Sequence, residues 1–262
     1  MLLIVAHHYT VNSGLTDLYD FSNITSNMLF LQIFGMFGKT AINCFTLITG
    51  FFMVKQNITL EKFLKLYFEV KFYYLTLYII FTATGYEQFS TEGLIRTVFN
   101  VAYDAGSFYA ATYIIFFLFI PFLNILVKGI NKKMYQRLLL LLICYFSLFS
   151  TFLKHDTFDF MGWMMTTYLI GGYIRLYPCR AFESKKTAVL CLSGSVMLMI
   201  ASILAVDFVA IKFGFDHYYY MFSDSHKLLA LCCSVSAFLL FKNLKIKQNK
   251  VINSNFPHAK KQ

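Results

Sequence analysis

The chain has 262 residues, of which 58% are hydrophobic, 19% aromatic and only 14% charged, with a formal net charge of +10 and a mean hydropathy of +0.60. That much apolar surface cannot be hidden in one soluble core and needs lipid as solvent, which excludes an ordinary soluble domain. The basic residues sit in short gaps beside apolar runs rather than in one stripe, so anionic lipid is the expected partner and nucleic acid is not.

In chain order, Met1 to Tyr9 is the first apolar stretch. At about 1.5 Å per residue it reaches half way across a bilayer, so it is expected to be the outer end of a longer span. A polar gap from 9 to 27 follows. Runs near 36–54, 64–84, 108–127, 138–153, 161–177, 187–206 and 226–241 come at or close to the roughly 17 to 25 residues that cross the hydrocarbon layer. In lipid each backbone N–H and C=O must be bonded within its own segment unless a barrel closes, and barrel alternation is absent, so every run is predicted helical. The fold class expected is all-α, a polytopic membrane helical bundle of about seven full transmembrane helices plus a partial first helix. No internal repeat is visible. Residues 1–241 are expected to form one membrane domain, incomplete at its start, and 242–262 a basic cytoplasmic tail.

Charge orients these spans. Lys55, Lys62 and Lys65, then Lys128, Lys132, Lys133 and Arg137, then Arg175, Arg180, Lys185 and Lys186, and finally the lysines after 241 fall in alternate gaps, which are expected to face the cytoplasm. The intervening gaps carry few basic residues and collect Asp17, Asp20, Glu87, Glu92, Asp104, Asp156, Asp159, Asp207, Asp216 and Asp224, so they are expected outside. The longest of them, 85–107, is predicted to be a polar loop, and 207–225 a loop rich in aromatics. The six cysteines form no CxxC pair, and neither a disulfide framework nor a metal site is indicated. The first residues lack the basic start and small-residue cleavage site of a signal peptide.

His7 and His8 are the leading catalytic candidates, because an ionisable side chain at the end of an apolar helix is costly to place and imidazole is the natural general base near neutral pH. The plainer alternative is a pair solvated in the interface or bonded to backbone. Next comes Gly35 to Phe52, in which Lys39, Asn43 and Thr46 share a helical face with Thr49 and Gly50 a turn further on. Glycines and hydroxyls in such a face ordinarily serve helix packing, and Lys39 can snorkel to the surface. Tyr109 and Tyr113 lie one turn apart near the outer end of a later span, where a tyrosine belt is the ordinary explanation. His155, His217, His226 and His258 occur singly and are expected to be solvated.

Taken in order, the His-His-Tyr that ends the first helix, GKTAINCFTLITGFFMVK, FYAATYIIFFLFIPFLN, YLIGGYIR and LLFKNLKIK resemble the membrane acyltransferase-3 family over most of residues 1–250. The resemblance implies a multi-pass enzyme of the bacterial inner membrane that moves an acyl group, commonly acetyl, from cytoplasmic acyl-CoA to a hydroxyl of a cell-surface polysaccharide or lipid-linked sugar. It implies acyl-CoA (acetyl-CoA) as donor substrate, no tightly bound cofactor and no metal. In the family an arginine, ten residues and a histidine end the first helix. His8 matches the histidine, which implies a catalytic base, and the arginine would lie before Met1. Lys39, Asn43, Thr49, Tyr109 and Tyr113 are then candidates to hold substrate or the developing oxyanion.

The chain departs from the family pattern at Thr49-Gly50-Phe51, where a serine is usual, and at Phe108-Tyr109, where Tyr-Trp is usual. Relatives also continue into a last helix beyond LFKNLKIK. Both ends are therefore expected to be short. Two other readings stay open: an inactive truncated remnant of such an enzyme, and a carrier or flippase for lipid-linked sugars. Against the latter, only one Gly-broken span is seen, with no counterpart in the other half.

Overall fold

The computed structural model describes residues 1–153, 158–214 and 224–244, and these contain helices and no strands. In chain order they are α1 (Leu2–Asn12), α2 (Ser26–Gly35), α3 (Gly38–Met53), α4 (Leu60–Ala83), the short α5 (Thr91–Val98) and α6 (Asn100–Asp104), α7 (Tyr109–Gly129), α8 (Lys132–Ile143), α9 (Ser150–Phe152), α10 (Phe160–Leu176), α11 (Arg180–Glu183), α12 (Lys185–Phe213) and α13 (Leu228–Lys242). A π-turn, Cys144–Phe149, joins α8 to α9. Among the described residues, four stretches are long and apolar enough to cross a membrane: Ser26–Met53, Tyr109–Gly129, Lys132–Phe152 and Lys185–Phe213. Of the remaining expected spans, α4 carries Glu61, Lys62, Lys65, Glu69 and Lys71, and α10 and α13 are shorter, with 17 and 15 residues.

Several boundaries differ from those read off hydropathy. Residues 26–35, between the expected polar gap and the first full run, are helical. The Thr25 side chain caps Met28 N–H, and Gln32, which interrupts the apolar run, donates to Asp207 (3.1 Å) in the interior. Asp207 itself, expected in an outer loop, is a buried residue of α12, which runs seven residues past the predicted end. The 85–107 loop contains α5 and α6. Ser90 caps Gly93 N–H, and α5 is amphipathic, too short and too charged for a search tuned to spans. The helix expected at 138–153 begins at Lys132, capped by Asn131. Tyr218, Tyr219, Tyr220 and Phe222, and the tail from 245, lie outside the described residues.

The core forms where α3 crosses α10. A Cβ on Gly50 would stand 2.1 Å from the Tyr168 carbonyl oxygen, and one on Gly171 would stand 2.2 Å from that of Leu47. Each helix thus presents a glycine to the other's backbone, the close approach that drives helix association where lipid removes the hydrophobic incentive. Around this crossing several polar groups are paired. Thr46 and Thr167 share a hydrogen bond of 2.7 Å. Tyr135 donates to the Leu169 carbonyl (2.7 Å). Asn124, on α7, donates to the Met53 and Gln56 carbonyls at the end of α3 and accepts from the Tyr168 hydroxyl (2.6 Å). These bonds satisfy carbonyls that a helix end leaves open. Leu47, Phe116, Ile120, Tyr135 and Tyr168 fill the space between, none of them measurably exposed. A second, smaller cluster of Met36, Met199, Ile203 and Cys233 links α2, α12 and α13.

Candidate functional site

The short first helix docks on the glycines that divide α2 from α3. Thr10 lies against Gly35, and a Cβ on Gly38 would come within 2.1 Å of the His7 Cβ. His7 is 7% exposed and its Nδ1 lies 2.8 Å from the Gly35 carbonyl oxygen. A carbonyl can only accept, so Nδ1 carries the proton. The ring works as a peg between helices, with no room beside it for a bulky substrate. Lys39, half-buried on α3, and Asp224 lie within electrostatic reach of it.

His8 points the other way. It is exposed, and its Nδ1 lies 2.9 Å from the Asn12 side-chain nitrogen, one helical turn on. An amide presents either its oxygen or its nitrogen by a half-turn. As placed, the amide N–H donates to Nδ1 and the neutral ring carries its proton on Nε2; with the amide turned over, its oxygen accepts from Nδ1–H and the Nε2 lone pair is free. An accessible, oriented imidazole with one basic nitrogen is what a general base requires.

The remaining candidates separate into two groups. Asn43 sits in the interior with its capacity filled: it donates to the Ser225 carbonyl (2.7 Å) and the Ser234 hydroxyl (3.1 Å), and accepts from the Trp163 indole (2.8 Å). It fastens α3 to α10 and α13 and has no donor left for a substrate. Thr49, Tyr109 and Tyr113 do come together. Thr49 donates to the Phe45 carbonyl (2.8 Å), so the 2.8 Å contact with Tyr113 must have the phenol as donor. Tyr109 stacks on Tyr113, with ring centroids 5.8 Å apart, and its hydroxyl is buried without a partner. The face that helical spacing assigned to Lys39, Asn43, Thr46 and Thr49 is therefore shared among different neighbours of α3.

Other polar groups escaped the sequence reading. His226, expected to be solvated, is 1% exposed, held in the interior by its contacts with Ser150 and Phe158. Its Nε2 is 2.6 Å from the Ser150 hydroxyl, and its ring stacks on Phe158. Lys227 donates to the Ser150 carbonyl (2.7 Å) and hydroxyl (3.0 Å). This knot closes the end of α9 against the start of α13. The other solitary histidines, His155, His217 and His258, lie outside the described residues. Lys71, in the middle of a predicted span, is buried and donates to the Val98 carbonyl and to Asn100 Oδ1, capping α5 with a cation at its negative end. No group of three or more His, Cys, Asp or Glu side chains that could hold a metal occurs among the described residues.

Compared with known families, residues 1–252 match the third acyltransferase family model, described as an acyltransferase domain. No curated protein and no solved structure matches the chain.

Proposed function

The chain belongs to the acyltransferase-3 family, a family of membrane acyltransferases, and from that premise we propose that it O-acylates a glycan hydroxyl with an acyl group, most simply acetyl, taken from cytoplasmic acyl-CoA. We place it in a bacterial inner membrane, with about seven full spans plus the first helix, the basic gaps and tail inside, and the connection between α1 and α2 outside. Residues 1–241 are the membrane domain in this reading, and the acceptor is a surface polysaccharide or a lipid-linked sugar. The observation that carries the proposal is the division of labour in the histidine pair: His7 is locked into packing, and His8 is free to act.

In this mechanism His8 Nε2 takes the proton from the acceptor hydroxyl as its oxygen attacks the thioester carbonyl. The tetrahedral intermediate collapses with loss of the CoA thiolate, which recovers the proton from the imidazolium. Asn12 is a positioning residue in this reading: with its amide turned so that the oxygen accepts from Nδ1–H, it holds the His8 ring with Nε2 basic. The oxyanion needs a donor aimed where charge develops. Lys39, next to the His7 contact on α3, and the unpartnered Tyr109 hydroxyl are the groups with donors to give, whereas Asn43 is spent and Tyr113 is committed to Thr49.

Transfer of labelled acetyl groups from acetyl-CoA to envelope polysaccharide, measured in membranes with and without the protein, tests the proposal. His8→Ala should lower transfer by about 10²- to 10⁴-fold with normal amounts of folded protein. His7→Ala should instead lower the amount of folded protein. Full transfer by His8→Ala would remove it from the mechanism, and absence of transfer by the unaltered chain would favour a carrier or an inactive remnant.

A further inference from the structure

Where α4 meets α5 and α6, in the segment placed outside, the surface carries an open cavity of about 260 Å³. Its wall is unusual in this apolar molecule. Asp104, 8% exposed, accepts from Arg96 at 3.1 Å. Asn100, 1% exposed, has given its oxygen to Lys71, and its Nδ2 is buried with no partner. A buried amide donor left open is costly unless something else completes it. Glu87 adds a second acceptor, and Tyr74 supplies an aromatic wall. Tyr78 also lines the space, but its hydroxyl is committed to Ser90 on both sides, donating to the carbonyl (2.9 Å) and accepting from the N–H (3.3 Å), which pins the start of α5 over the cavity.

We propose that this cavity is a subsite for one neutral sugar ring of the acceptor glycan. A pyranose hydroxyl both donates and accepts, which suits Asn100 as donor and Asp104 and Glu87 as acceptors, while the C–H face of the ring suits Tyr74. The volume falls below the roughly 300–1,000 Å³ of sites for larger ligands, so it admits one ring rather than a chain. The two carboxylates outnumber the one guanidinium in the lining, which disfavours a phosphate or the nucleotide of CoA. The inference rests on the proposed function for its outward orientation and its acceptor class.

The test uses the full chain in intact cells. Glu87→Cys is labelled by a membrane-impermeant maleimide, counted over the unaltered chain, in the presence of neutral or anionic oligosaccharides released from the envelope glycans of the cells that carry the gene. The neutral fraction should slow labelling several-fold and the anionic fraction should not. Adding Asn100→Leu should abolish the protection. In acyl transfer, Asn100→Leu should raise the acceptor KM about tenfold, the loss of one buried hydrogen bond, with kcat and the donor KM unchanged. Absence of protection, equal protection by the anionic fraction, or protection that survives Asn100→Leu overturns the subsite. Labelling that occurs only in broken cells would instead overturn the orientation, and loss of His8-dependent transfer would overturn the function. The three failures are thus distinguishable.

Discussion

The two sides of α7 are built on opposite principles. On one side, α3 and α10 touch backbone to backbone at Gly50 and Gly171, and Asn43, Thr46, Asn124, Tyr135 and Thr167 have all found partners. On the other, α4, α5 and α6 leave most of their side chains exposed and surround a polar cavity with an open amide at its wall. A polar group in lipid is tolerable once it is paired, and the groups at the glycine crossing are paired. The cavity side leaves the Asn100 Nδ2 donor open beside a lined space, which is what a binding surface needs. Stability should therefore be concentrated in the first region and ligand recognition in the second.

The sharpest way to break this contrast is Gly171→Ala. The added methyl meets the Leu47 carbonyl and cannot be relieved by a side-chain rotation, so the cost should reach about 3 kcal/mol or more. It should be read as a large fall in thermal midpoint in detergent. A smaller loss, about 1–3 kcal/mol, is expected of Asn124→Ala, which leaves the Tyr168 hydroxyl and two carbonyls short of a partner. Chemical denaturation of the same preparation measures it. Arg96→Gln should move stability least, by about 1 kcal/mol or less, since the Arg96 side chain is 62% exposed. A fall as steep as that of Gly171→Ala would mean that the cavity wall is part of the core after all.

Much of the bundle was legible because hydrophobic length is a strong signal in lipid. The runs at 108–127 and 161–177 became α7 and α10 within a residue or two at most ends. What length could not report was anything amphipathic or internally paired. Asp207, expected in an outer loop, meets Gln32 across 175 residues of sequence, a pairing that no run of hydropathy reports. The first turn of α5 was invisible to a search for long apolar runs, although Ser90 and Glu92 form a readable helix start. The site was legible in part. The sequence placed two histidines side by side, and only the packing at Gly38 distinguishes the one that is buried. Lys71 and Asn100 carried no signal at all, because their meaning depends on a contact between helices that no spacing along one chain encodes.

The glycine crossing also restricts traffic. With the two backbones in direct contact at Gly50 and Gly171, no thread of methylenes and no file of water can slip between α3 and α10. Any passage through the bundle at this level would have to run along a different flank of α3.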